Sequence, residues 1–189
     1  MSKKRAAAVK DGSVKLRGTF AVNLADTRDR KSPIGKKVQD ALFGKLQTNK
    51  DARKKAKAAA WKWFSEWIRL RDAGPDGRAQ CITCQRSDHW RTMDAGHYLT
   101  RAKESTLFDE RNVSCQCKGC NRFQGGKFYE HGQAVERKFG PGTRQELERK
   151  AGQVCKRTVN DYLFISDTYK KRVHWIKEHE PQRYYRKTT

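Results

Sequence analysis

The sequence predicts an α+β protein in which a small core of short strands and a helix, stapled by cysteines, is flanked by longer helices and preceded by a basic arm. Residues 80–121 are rich in turns and contain a doubled Cys-x-x-Cys pattern, which is typical of a small stapled core. Apolar residues recur at helical spacing before and after this segment. We therefore divide the chain into a mostly disordered arm over residues 1–50, a domain over residues 51–180 and a basic tail over residues 181–189.

Two helices are expected before the core. The longer one covers residues 51–72, carries three tryptophans and ends before Gly74-Pro75. Tryptophans this close together are more typical of a packed core than of a base-stacking surface, so we interpret them as core. A shorter helix is expected around Lys36–Leu46, inside the basic arm.

Further helices are expected from the end of the core onward. One begins near Lys118 and, after the glycine pair that follows it, two more are expected. The first of these begins at Thr143, where Glu146 three residues later is typical of a capping box. The second covers residues 158–179. Its apolar face consists of Ile165, Tyr169, Val173 and Ile176.

The charge of the chain restricts its partners. The chain contains 43 Lys and Arg residues against 21 Asp and Glu residues, which gives a formal net charge of +22. Such an excess favours a polyanionic partner, either nucleic acid or an anionic membrane. We find no apolar run of membrane-spanning length, and Met1 is followed by a basic stretch rather than by a signal-peptide core. We therefore expect a cytoplasmic protein without membrane contact, whose cysteines stay reduced and whose partner is nucleic acid.

The cysteine pattern indicates a metal site. Cys81 and Cys84 form one Cys-x-x-Cys pair, Cys117 and Cys120 form another, and 32 residues separate the two pairs. Each pair can bring two thiolates to one ion, so that both pairs together complete the tetrahedron that zinc prefers. Four thiolates leave no open position for a substrate. The zinc is therefore expected to be structural and to contribute folding energy to a core with few apolar residues.

Other residues could substitute as zinc ligands. Cys115 lies two residues before Cys117, but only Cys117 has the usual knuckle spacing to Cys120. His89 is a further alternative, although nothing in the pattern requires it. Cys155 lies in the later helical region and is interpreted as a small buried apolar residue.

The candidate catalytic residues lie between the cysteine pairs and directly after them. Asp94 and His97 belong to the segment between the pairs, and Asn121 follows the last cysteine. Taken singly, these could be a turn residue, a core histidine and a helix-capping residue. Together, a carboxylate and an amide oxygen suit Mg²⁺, and a neutral imidazole can remove a proton from an attacking water. The combination predicts metal-dependent phosphodiester hydrolysis.

The order of these motifs resembles that of phage endonuclease VII, a Holliday-junction resolvase of the HNH superfamily. More specifically, the segments 93–98, 110–113 and 117–121 resemble the NinG (Rap) recombination proteins of lambdoid phages, and the similarity runs from about Trp61 to His179. The resemblance implies a ββα-metal (HNH) nuclease core that is stapled by zinc and flanked by helices. It also implies that the protein works inside a phage-infected bacterial host.

The resemblance also implies roles for single residues. His97 would be the general base, Asp94 and Asn121 would hold a catalytic Mg²⁺ or Mn²⁺, and the four cysteines would hold zinc. Asn112 would brace the loop and position His97. Basic residues around the core are expected to contact the DNA backbone, with a solvated basic surface as the alternative for each. They are Arg101, Lys103, Arg111, Lys118, Arg122 and Lys127.

The function predicted by these residues and by the resemblance is a metal-dependent DNA endonuclease. The resemblance implies that it cuts branched recombination intermediates, such as Holliday junctions, and that it works as a homodimer. One alternative is a plain HNH nicking or homing-type nuclease without preference for branches. The other is a zinc-ribbon DNA-binding module without catalysis, which would need none of Asp94, His97 and Asn121.

Overall fold

The computed structural model of the chain describes residues 13–15, 21–23 and 33–185. The described residues form helices and small antiparallel sheets in separate stretches of the chain, so the expected α+β class is confirmed. The strands are β1 (Ser13–Lys15), β2 (Ala21–Asn23), β3 (Arg78–Gln80), β4 (Ser87–His89), β5 (Asp94–His97) and β6 (Val113–Gln116). The helices are α1 (Pro33–Arg71), α2 (Phe128–Phe139), α3 (Thr143–Ala151), α4 (Val159–His179) and α5 (Pro181–Tyr185), and a π-helical turn spans Gly119–Phe123.

The chain divides into two compact units, Met1–Ala52 and Arg53–Thr189. In the first unit, β1 pairs with β2 in antiparallel register. In the second, β3 pairs with β4 and β5 pairs with β6, both antiparallel. The disorder that the sequence predicts for the arm falls mainly on residues outside those described, as does the end of the basic tail.

The prediction of two separate helices before the core is wrong. One helix, α1, runs from Pro33 to Arg71 without interruption. The chain has no proline between Pro33 and Pro75, and its lysines, alanines and glutamines favour helix even where no apolar stripe is present. The predicted end of the helix before Gly74-Pro75 is confirmed.

The helices after the core are more numerous than expected. The sequence analysis missed α2, whose buried residues His131, Gly132, Ala134 and Val135 form a weak apolar stripe. The predicted start of α3 at Thr143 is confirmed, but its capping box is wrong. Gly142 caps this helix, and the Thr143 hydroxyl donates to the Gly140 carbonyl instead. A capping box is present on α4, between Thr158 and Asp161.

The core of the second unit lies where α1 and α4 pack around the loop between β5 and β6. Phe64 and Ile68 of α1 contact Leu107 and Phe108 of the loop together with buried tyrosines of α4. A neighbouring cluster joins Leu70 of α1 to apolar residues of α4, β3 and β6. The three tryptophans of α1 are partly buried and pack against these clusters. None of the helices within residues 33–185 combines the length and apolar character that a membrane crossing needs.

Asp72 fixes the end of α1 to the elements that carry the candidate site. Its carboxylate accepts hydrogen bonds from Arg71, from Lys138 of α2 at 2.6 Å and from the Cys115 backbone N–H of β6 at 2.8 Å. The side chain is only 8% exposed. Burial alone would raise the pKa of Asp72, but its cationic partners outweigh burial and keep the pKa below its usual range.

Candidate metal and nucleic-acid site

The four predicted zinc ligands lie together. The Sγ atoms of the four cysteines all lie within 4.8 Å of one another. The four are Cys81, Cys84, Cys117 and Cys120. The Cys84 and Cys117 sulfurs are 3.7 Å apart. A tetrahedron with a Zn–S length of about 2.3 Å has sulfur–sulfur edges of roughly 3.8 Å, so the cluster fits one zinc ion.

The electrostatics of the cluster favour a thiolate. Burial opposes ionisation of Cys81, but hydrogen bonds from the Cys117 and Cys84 backbone and from Thr83 lower its pKa to about 6. Because a metal binds the thiolate form, part of the cost of deprotonation is already met. Cys115 is not one of the four: its side chain lies in the apolar core, and burial followed by the charge of Asp72 raises its pKa to about 12.

His89, the other alternative zinc ligand, and Cys155 both lie outside the cysteine cluster. His89 is buried beside Trp90, and its Nδ1 atom accepts from the Arg91 backbone N–H at 3.3 Å. Cys155 is only half-buried, in the connection between α3 and α4, whereas the sequence analysis interpreted it as a small buried apolar residue.

Asp94 and Asn121 are in direct contact. The Asn121 Nδ2 atom donates to Asp94 Oδ2 at 3.0 Å, which leaves the Asn121 amide oxygen as an acceptor. Arg122 donates to both Asp94 oxygens at 2.7 Å. Burial alone would raise the pKa of Asp94, but the hydrogen bonds from Arg122 and Asn121 lower it below its usual range. The carboxylate is therefore ionised at neutral pH and is paired with the Arg122 guanidinium.

His97 lies on the same strand but makes different contacts. Its Nε2 atom is 3.0 Å from the Leu107 carbonyl, and its ring stacks on Trp61 with ring centroids 5.0 Å apart. Burial, together with the charge of Arg101, lowers the pKa of His97 to about 4. A neutral imidazole that donates to a carbonyl carries its proton on Nε2, so Nδ1 is left as the basic nitrogen. Among the described residues, His97 makes no hydrogen bond to Asp94 or Asn121.

Asn112 holds the loop that carries Leu107. Its side chain is fully buried, accepts from the Leu99 backbone N–H at 2.7 Å, and donates to the Leu99 and Thr106 carbonyls. Three carboxylates tie the same loop to the surrounding helices. They are Glu104, Asp109 and Glu110, which bind Lys57, Lys150 and Arg172 respectively.

Gly96 is required by the way β5 packs. A Cβ atom at this position would lie 2.2 Å from the Gln116 side-chain oxygen. Gln116 is fully buried and donates to the Thr83 hydroxyl and to the Gly126 carbonyl at 2.8 Å. Its amide thus joins the first cysteine pair to the turn that follows the second, and only glycine leaves room for it.

An open cavity of about 360 Å³ connects Asp94 and Asn121 to α1. Its walls carry three arginines, Arg69, Arg101 and Arg122, whereas Asp94 is its one acidic residue among those described. The Arg101 guanidinium lies 4.2 Å from the centroid of the Trp61 ring, and the same ring stacks on His97. A cavity with this charge suits an anionic group such as a phosphate.

The sequence of this chain is similar to a known family. The sequence matches the family described as Bacteriophage Lambda NinG protein over residues 3–180. The chain belongs to the NinG family. No curated protein and no solved structure matches the chain at a significant level. The family match agrees with the resemblance found in the sequence, and it leaves the more distant likeness to endonuclease VII without support.

In this NinG family member, the basic residues expected to contact DNA fall into two groups. Arg101, Lys103 and Lys118 are exposed. The others are engaged within the chain. Arg122 pairs with Asp94, Arg111 donates to Glu146 at 2.6 Å and to Asp109, and Lys127 lies 3.9 Å from Glu130. Their contacts with DNA stay predictions.

The sequence analysis missed the contribution of α1 to the cavity beside Asp94. Trp61, Ser65 and Arg69, one helical turn apart, line the cavity together with Asp94. The spacing of Ser65 and Arg69 on the polar side of the tryptophan stripe was the available signal. It could not be interpreted without knowing that this side faces β5.

Proposed function

We propose that this NinG family protein is a metal-dependent, structure-selective DNA endonuclease that cuts branched recombination intermediates such as Holliday junctions. The observation that carries the proposal is the Asp94–Asn121 contact in a cavity walled by arginines and fixed by the cysteine cluster. The order of β5, β6 and α2 supports an HNH-type core, because such a core consists of two antiparallel strands followed by a helix. The role in recombination comes from the resemblance to NinG proteins.

A divalent ion fits the site after one movement. Asp94 and Asn121 offer hard oxygen ligands, which Mg²⁺ and Mn²⁺ prefer. Arg122 covers both oxygens of Asp94 but is largely exposed, so its long side chain can move onto a neighbouring phosphate. When bound, the ion would act as a Lewis acid on the phosphate.

His97 is proposed to be the general base. Its low pKa keeps the ring neutral, and the Leu107 carbonyl fixes the proton on Nε2, so that Nδ1 can accept a proton from water. Arg69 and Arg101 would hold the scissile phosphate in the cavity. Attack of the water then leaves a 5′-phosphate and a 3′-hydroxyl.

One observation favours a second candidate, a DNA-binding zinc module without catalysis. The two-point contact of Arg122 with Asp94 already satisfies the carboxylate, and ion pairs of this kind are frequently structural. In that case Asp94 would position Arg122, and the cysteine cluster would hold a binding surface.

A cleavage assay separates these candidates. The full chain is incubated with a four-way junction, a flap and a linear duplex, with and without Mg²⁺. We expect cleavage of the branched substrates only with Mg²⁺, and its loss in His97→Ala while zinc content and DNA binding stay unchanged. His179→Ala, at an exposed histidine of α4, is the matched control.

Other outcomes are equally clear. Binding of all three DNAs without cleavage under any metal condition would favour the binding module. Equal cleavage of branched and linear DNA would favour a plain HNH nuclease. Sedimentation of the protein–junction complex tests the accompanying proposal of a homodimer, because cutting opposed strands together needs two sites.

A further inference from the structure

Three aromatic side chains next to the candidate site are more than half exposed. Phe123 is 84% exposed, Tyr129 is 66% exposed and Phe128 is 55% exposed. All three lie within seven residues, directly after Asn121 and Arg122. Single exposed aromatics are common, but a cluster of them marks a binding surface. We call these three residues the aromatic tip.

The backbone holds the aromatic tip in a defined conformation. Gly125, Gly126 and Lys127 have φ angles of 58°, 78° and 49°, a left-handed run in the turn between Phe123 and Phe128. A non-glycine residue rarely adopts this conformation unless its surroundings enforce it. The Gln116 side chain fixes the turn through the Gly126 carbonyl at 2.8 Å. The turn is thus tied to the strand that pairs with β5.

Phe128 has support on one side only. Its ring stacks on Tyr98 with centroids 4.9 Å apart and planes 17° apart. Tyr98 is buried and its hydroxyl donates to Glu148 of α3 at 2.7 Å. The stack therefore presents the outer face of Phe128 on a rigid base, as a platform for another flat group.

The charges around the aromatic tip identify its occupant. Lys118 is an exposed cation on the preceding turn, and Arg122 and Lys127 are each paired with one carboxylate, Asp94 and Glu130 respectively. At this surface a second copy of the chain would bring the same cations face to face, so the proposed homodimer would form through another surface. A polyanion that also offers flat apolar faces meets both requirements, and unstacked nucleobases on a DNA backbone do so.

We propose that the aromatic tip stacks on unpaired or unstacked bases of DNA, next to the phosphate held in the arginine-walled cavity. Phe123 and Tyr129 contact the bases, and Phe128 extends the platform. This inference rests on the proposed function, which it deepens by giving the protein a physical reason to prefer branched or interrupted DNA. In an intact duplex the bases are stacked on each other, so no base face is available to the aromatic tip.

The test measures binding without cleavage. The full chain is titrated, without added Mg²⁺, against a duplex with a short bulge containing 2-aminopurine and against the same duplex without the bulge. The fluorescence of 2-aminopurine falls when the base stacks on an aromatic ring. We expect quenching by the wild-type chain, and a loss of affinity for the bulged probe of at least about five-fold in Phe123→Ala and in Tyr129→Ala. Affinity for the intact duplex should not change.

Two further variants make the test specific. Phe123→Trp should keep the quenching and Phe123→Leu should lose it, because leucine is apolar but has no ring to stack. Phe164→Ala removes a phenylalanine of α4 that is 74% exposed and should behave as wild type. These comparisons do not depend on cleavage, so they can succeed even if the protein never cuts DNA.

Several results would overturn the inference. Equal losses on the bulged and intact duplexes would make the tip a general backbone contact. Unchanged binding in both alanine variants would remove it from DNA recognition. Loss of a dimer in sedimentation, or loss of binding to anionic vesicles, in Phe123→Ala would assign the tip to a protein or lipid partner instead.

Discussion

At the scale of single residues, two buried histidines, His97 and His131, lie where their pKa is lowered. His131 of α2 is fully buried, and burial followed by the charge of His97 lowers its pKa to about 4. His97 has a pKa of about 4 for a similar reason. Both rings therefore lose a proton on folding at any pH between about 4 and the ordinary histidine value near 6.5.

This predicts a specific dependence of stability on pH. Between pH 6.5 and 4 the unfolded chain binds more protons than the folded chain, so the free energy of unfolding falls as the pH is lowered. Replacing His131 by glutamine removes one of these groups. Compared with wild type, His131→Gln should lose about 2 kcal/mol less on going from pH 7 to pH 5, measured by urea unfolding.

The control for this experiment is His179→Gln, since His179 is exposed on α4. It should show the same pH dependence as wild type. Cys81, with a pKa of about 6, also takes up a proton in this range, so the difference between variants is the quantity to compare. If His131→Gln and wild type lost the same stability, His131 would not be neutral and buried in solution.

At the scale of elements, Asp72 joins α1, β6 and α2 through one carboxylate. Replacing it with alanine leaves Lys138 without its partner and the Cys115 backbone N–H without an acceptor. We expect Asp72→Ala to lower the free energy of unfolding by about 3 kcal/mol or more, as removal of one member of a buried pair does. Chemical denaturation measures this directly.

A surface ion pair provides the comparison. Asp167 pairs with Lys171 one turn along α4, and both side chains are more than half exposed. Asp167→Ala should change the free energy of unfolding by less than about 1 kcal/mol. Similar losses in the two variants would show that Asp72 does not connect the three elements.

The same scale explains which parts of the fold could be predicted. The C-terminal end of α1 follows from Gly74-Pro75, and the start of α4 follows from Thr158, which are both local signals. The cysteine cluster also follows from spacing, and it brings the segments of Asn121 and Asp94 together, although the direct hydrogen bond between these two residues was not predicted. Helix α2 was missed because Phe128 and Tyr129 at its start are exposed and its buried residues include a histidine and a glycine.

Contacts between distant segments could not be predicted. The stacking of Trp61 on His97 depends on how α1 lies against β5, and no local pattern encodes that arrangement. The pairing of Arg122 with Asp94 has the same origin, because a basic residue beside a cysteine pair is equally compatible with DNA contact. Sequence patterns thus point to individual candidate residues but do not give their contacts with distant segments.

At the scale of the whole molecule, the cysteine cluster is expected to determine whether the second unit folds. Its ligands come from both ends of the segment that contains β5, the loop and β6. We expect one zinc ion per chain by elemental analysis. Cys81→Ser should lose it together with cooperative thermal unfolding, because metal binding supplies folding free energy.

Cys155→Ser is the matched control, since Cys155 lies outside the cluster. It should keep the zinc and the unfolding transition of wild type. Asp94→Ala should also keep the zinc while losing any Mg²⁺-dependent cleavage. Equal zinc content in Cys81→Ser and Cys155→Ser would contradict the assignment of the ligands.

The position of the cysteines along the chain also orders events during synthesis. The ribosome releases Cys81 and Cys84 first, then Asp94 and His97, and only later Cys117 and Cys120. A nascent chain therefore carries its catalytic candidates for a time while half of the metal ligands are still unmade. Because the second cysteine pair directly precedes Asn121, the last two predicted zinc ligands and the last candidate ligand of the proposed catalytic ion are synthesised almost together. Under the proposed function, the site would therefore be completed only after the strand that carries Asp94 and His97 has been translated.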